Sequence, residues 1–137
     1  MNRLITLYYE KNHYLEKFYS CGETELKNFL NGEFQNLDAF YETREKILEM
    51  IRYVDSQVEK SYEKIQLNDP EKRELKKALD IKDEYVQRIM EQDLEILSCI
   101  EQFKSSLIIE MQNLQRGKKV VSRYKMPSFI KNLDEEA

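Results

Sequence analysis

Residues 69–117, DPEKRELKKALDIKDEYVQRIMEQDLEILSCIEQFKSSLIIEMQNLQRG, decide the fold of this chain. Within them Leu75, Leu79, Val86, Ile89, Ile96, Ile100, Phe103, Leu107 and Leu114 recur at steps of three, four or seven. That spacing puts all of them on one face of a helix. Asp69 can cap the helix start and Pro70 can take its first position. The pattern then runs unbroken to Gly117, about 45 residues or roughly 65 Å of helix.

Two similar patterns precede it. The first places Leu4, Tyr8, Leu15, Phe18, Leu26 and Phe29 on one stripe and meets Asn31-Gly32, a helix end with glycine just past it. The second carries Leu37, Phe40, Ile47, Ile51, Val54, Val58 and Ile65, and stops at LNDPE, residues 67–71. These predict helices of about 28 and about 33 residues. Long stripes joined by short connections predict an all-α, up-down-up bundle of three antiparallel helices with shallow crossings. The bundle takes residues 1–114. Residues 115–137 form a C-terminal extension, helical in part, either free or folded back, with its last residues expected to be disordered.

Composition agrees with this class. The 137 residues include only three Gly and two Pro, with 35% charged and 41% hydrophobic residues. A net charge of −4 gives the chain as a whole no attraction to nucleic acid or anionic membrane. Only Leu4 to Tyr9 are uncharged before Glu10, too few for a secretory core, and no segment approaches the roughly 20 apolar residues of a membrane span. The expected compartment is the cytoplasm. Cys21 and Cys99 show no metal-ligand spacing and read as buried or half-buried thiols.

Polar residues on the stripes need partners. If the second and third helices form a hairpin centred near residue 68, Arg44 and Asp93 fall side by side. A charge on an apolar seam is costly unless paired, so they are expected to form a structural ion pair that fixes register. The same register puts Lys82 opposite Asp55.

Nothing in the sequence starts a catalytic mechanism. The single His stands in Glu10-x-x-His13, half of the motif that binds iron in helical bundles, and no second His completes it. No Gly-rich loop could cradle a phosphate, and no nucleophile has a base in readable relation to it. The expectation is no enzyme, no catalytic residue, no cofactor and no metal.

The third helix outruns its partners. From Ser105 onward it is expected to project beyond the bundle, yet Leu107, Ile108, Met111 and Leu114, then Val120, Val121 and Tyr124, are apolar. An apolar face without a neighbour is a binding site, a dimer contact or a segment that folds back. These seven residues are the candidate client-binding set. Arg116, Lys118, Lys119, Arg123, Lys125 and Lys131 form a run with no acid from residue 111 to 133, so nucleic-acid binding through this basic stripe is a lesser alternative. A helical dimeric scaffold or regulator is another.

Three segments carry a resemblance: NGEFQNLDAFYETREKILEMI at 31–51, IMEQDLEILSCI at 89–100 and LQRGKKVVSRY at 114–124. In this order and spacing they are similar to the flagellar export chaperones of the FlgN and FliT type. Glu33 stands where that family often has Asp, and Lys118 where it has Arg. The resemblance implies a small acidic helical protein of the cytoplasm. It would hold an unpolymerised axial subunit of the hook junction, cap or filament and bring it to the type III export machinery. It implies no enzyme.

Overall fold

The structure, a computed structural model, describes residues 2–117. It contains three helices: α1 (Arg3–Leu30), α2 (Leu37–Tyr62) and α3 (Asp69–Gly117). Together they form an all-α bundle with no strand among the described residues.

Each helix end has a local cause. At the start of α1, the Asn2 side-chain oxygen accepts the Leu4 N–H at 2.8 Å, satisfying one of the first free donors. At its end, Gly32 takes φ +75, the Glu33 N–H reaches the Asn28 carbonyl at 2.8 Å and the Gly32 N–H reaches that of Phe29 at 3.0 Å. This pair of bonds is the Schellman closure that a glycine permits, as Asn31-Gly32 predicted. At the start of α3, Asn68 Oδ1 accepts the Glu71 N–H at 2.8 Å, and Glu71 Oε1 accepts the Asn68 N–H at 3.2 Å. The cap is therefore Asn68, one residue before the expected Asp69. Only from Asn68 does the third helical position hold an acid able to return the bond; from Asp69 it would hold Lys72.

The second helix is shorter than its stripe, with 26 residues beginning at Leu37 instead of about Glu33. Residues 33–36 are a linker, and Phe34 stacks between Phe29 (ring centroids 4.6 Å apart) and Phe103 (4.0 Å). That insertion uses chain that the periodicity assigned to helix.

Helix α1 lies between the other two. It packs along both α2 and α3, whereas the backbones of α2 and α3 barely approach each other. Two features bring α1 and α3 close. Ala78 is fully buried and its carbonyl accepts the Asn12 side-chain N–H at 3.0 Å. Gly22 sits against Gln92, whose Oε1 lies 2.0 Å from where a Cβ would stand. Gln92 Nε2 in turn donates to the Tyr19 carbonyl at 2.8 Å and to Glu23 Oε1 at 3.1 Å.

The core divides into two clusters. One joins Leu26 and Phe29 of α1, Leu37 and Phe40 of α2, and Ile96 and Ile100 of α3, at the end holding the α1–α2 linker. The other joins Leu4, Leu7 and Tyr8 to Val54, Val58 and Ala78 at the opposite end. Each fully buried aliphatic side chain, Leu37 and Ile96 among them, contributes roughly 1.5–3 kcal/mol by leaving water.

Candidate helix-docking surfaces

The predicted ion pair forms. Arg44 Nη2 donates to Asp93 Oδ1 at 2.5 Å, and the guanidinium lies 4.3 Å from the centre of the Phe18 ring of α1 and 5.1 Å from that of Phe40. The hairpin register was right, but its reason was incomplete: the two helices are spaced by α1, and this side-chain strap crosses the interval over Phe18. Stacking on two rings offsets part of the cost of burying the cation. The second expected pair does not form. Lys82 bonds its neighbour Asp83 at 2.9 Å, and Asp55 bonds Lys11 of α1 at 2.7 Å. Because α1 lies between the helices, its lysine reaches Asp55 where Lys82 does not.

The seven predicted client-binding residues separate into three groups. Leu107 is 5% exposed and belongs to the core cluster of Leu37, Phe40 and Ile100, a correction to its reading as an unpartnered anchor. Phe34 extends the bundle's support past the point where α2 was expected to begin, so the overhang starts after Leu107 rather than at Ser105. Ile108 and Met111 are exposed, together with Ile109, and Leu114 is half-buried. Val120, Val121 and Tyr124 lie outside the described residues, as does the basic run from Lys118 onward. The 115–137 boundary likewise falls mostly outside them, with α3 continuing through residues 115–117.

A feature that periodicity did not reveal lies between the two core clusters. There α2 and α3 leave a groove of about 550 Å³. Leu15 and Phe18 of α1 form its floor, Leu48 and Ile51 line one wall, and Val86 and Met90 line the other. The Arg44–Asp93 strap crosses it. A gap between helices depends on their splay, which a stripe of apolar residues does not encode. One sequence signal was present: Val86, Met90, Leu97, Ile108 and Met111 recur at steps of four, seven, eleven and three, which widens the apolar side of α3 beyond its main stripe, with Val86 on both. All five are exposed. The groove wall and the overhang thus share one side of a single helix.

Burial pushes the Cys21 thiol up against the opposing influence of Arg44, and burial together with Glu95 pushes the Cys99 thiol up. Raised thiols are weak nucleophiles. His13 is exposed, and among the described residues no three His, Cys, Asp or Glu side chains gather where a metal could sit. No described helix is long and apolar enough to cross a membrane. The chain matches no protein-family model, no curated protein sequence and no solved structure.

Proposed function

We propose that this protein is a cytosolic, non-catalytic chaperone. It binds the amphipathic terminus of an unpolymerised flagellar axial subunit, of the hook junction, cap or filament, and delivers it to the type III export apparatus. The observation that carries the reading is the exposed apolar side of α3, from Val86 to Met111, which no other helix of the described bundle covers. Leaving several large side chains in water forfeits roughly 1.5–3 kcal/mol each that a partner helix could recover. The sequence resemblance supports the choice of partner class, and the exposed apolar side supports α3 as its seat.

Binding of purified hook-junction, cap and filament termini to the full chain tests this directly. One terminus is expected to bind, and Ile108→Glu with Met111→Glu is expected to weaken that binding by roughly tenfold or more, as loss of interface anchors does. If none of the three binds, the reading is wrong. The same side of α3 also suits a helical dimer acting as scaffold or regulator. A dimer in sedimentation that the same two substitutions dissociate, with no subunit bound, would favour that second reading.

A further inference from the structure

The groove at the middle of the bundle differs from the overhang in its charge layout. Two ion pairs cross it or flank it, and both are oriented the same way. In the Arg44–Asp93 pair the cation side chain is 11% exposed and the acid 43%; in Lys11–Asp55 the figures are 17% and 47%. The cations lie at the floor and the carboxylates at the mouth. Glu45 joins Asp93 as a second carboxylate of the lining, bonded at 2.9 Å to Arg52. Because each floor cation is already neutralised, the groove asks for an apolar face from whatever enters it. Because the acid is the more exposed partner in both of these pairs, the flanks of that occupant should be basic.

The dimensions fix its form. The lining runs from Tyr41 to Ile51 on α2, about 15 Å at 1.5 Å per residue, or nearly three helical turns. Both walls are helices lying on the floor helix α1, and a fourth helix in this seat would complete a four-helix cross-section at the level where α2 and α3 fail to meet. Four side chains at i, i+4, i+7 and i+11 would cover that length, about 16 Å at 1.5 Å per residue, and fill the space that Leu48, Ile51 and Met90 border.

We infer that this groove is a docking site for a basic amphipathic helix of a partner protein, its apolar face on Leu15 and Phe18 and its cationic flanks beside Asp55, Asp93 and Glu45. This rests on the reading of the chain as a holder of amphipathic segments, and it adds a second seat and a charge requirement to that reading. The overhang supplies apolar anchors on one helix; the groove supplies walls on both sides, a floor and acidic edges.

The test uses the full chain and synthetic amphipathic helices of about four turns with leucine on one face. One has lysine and glutamine on the other face, one has glutamate and glutamine, and one is the lysine peptide with its residues scrambled. Fluorescence anisotropy is expected to show the lysine helix binding roughly tenfold or more tightly than either comparator. Met90→Glu and Val86→Glu are each expected to weaken it by roughly tenfold or more, although each adds a negative charge that would strengthen mere charge attraction. Both positions are exposed, so neither change disturbs the core, and thermal unfolding checks this. Ile108→Glu with Met111→Glu is expected to leave the lysine helix bound.

Affinity that rises or holds in the groove variants would reduce the effect to net charge and overturn the inference. Binding that needs only the overhang residues would overturn it as well, leaving the chaperone reading intact. A homodimer in the unsubstituted chain that Met90→Glu dissociates would make a second copy the occupant and overturn the partner assignment, and release of a groove-bound segment from residues 118–137 by Met90→Glu would do the same. If the flagellar termini fail to bind while the lysine helix still seats in the groove, the client identity falls and the groove stands.

Discussion

The two ends of this bundle and its middle are held by different physics. At the ends, apolar side chains from all three helices close into clusters, one around Leu37, Phe40, Ile96 and Ile100 and one around Leu4, Tyr8, Val54 and Val58. In the middle, α2 and α3 are linked across α1 by Arg44 and Asp93, and apolar side chains line an open groove instead of meeting. Apolar clusters supply stability in proportion to the area they remove from water. A single strap supplies little net energy, but it fixes the spacing of two helices whose backbones barely approach each other. The difference teaches where this fold can leave surface for a partner: the ends hold the helices, so the middle does not need to close.

Breaking an end should cost the most. Ile96→Ala removes a side chain that is 1% exposed and leaves a cavity, and is expected to lose about 2–5 kcal/mol in urea unfolding. Met90→Ala, on the exposed wall of the groove, is expected to stay within about 0.5 kcal/mol of the unsubstituted chain. Similar losses at the two sites would mean that the middle is packed as tightly as the ends.

Cutting the strap comes next. Arg44→Met loses the bond to Asp93 and leaves a carboxylate that is only 43% exposed, so about 2 kcal/mol is expected, below the 3–5 typical of a fully buried pair. Combining it with Asp93→Leu should recover much of the loss. Additive losses in the double variant would show that the two residues act independently.

How much of this was legible in the sequence follows the same division. The glycine closure at Asn31-Gly32 and the pairing of Arg44 with Asp93 could be read because each rests on local chemistry or on a charge that cannot stand alone on an apolar seam. The cap at Asn68 was missed by one residue because Asp69 is an equally good cap type, and only the returning bond from Glu71 separates them. The central place of α1 was not read, although a sign was present. Leu4, Ile5, Leu7 and Tyr8 are all buried, an apolar arc too wide for one neighbour. Leu107 was misplaced for a different reason: the reach of a linker residue such as Phe34 has no period to betray it. The groove depends on splay, which emerges only when three stripes are packed together.

The smallest effect separates the acids of the two regions. In the middle, the acids of the groove are paired with Arg44, Lys11 and Arg52. At the end that holds the linker, Glu25 is 6% exposed, its Oε1 has no hydrogen-bond partner among the described residues, and its Oε2 accepts a long bond of 3.4 Å from Asn28 Nδ2. Burial pushes its carboxyl above the ordinary range, and the Asn28 bond opposes this only in part. A folded-state pKa above the unfolded one means that the native chain holds the proton more tightly. The contribution of Glu25 is therefore fully present below the unfolded carboxylate value and is lost as pH rises through the folded one. Glu25→Gln keeps an oxygen for Asn28 and removes the charge, so it should raise the unfolding midpoint at about pH 7, with the advantage fading as pH falls through about 4 and the carboxyl becomes protonated in the unfolded chain as well. The paired acid Glu45 should show the opposite sense, with Glu45→Gln weakly destabilising at about pH 7 because an exposed pair is worth at most about 1 kcal/mol. If Glu25→Gln lowers the midpoint at neutral pH, the buried carboxylate is satisfied there, and the contrast between an unpaired acid at the end and paired acids in the middle does not hold.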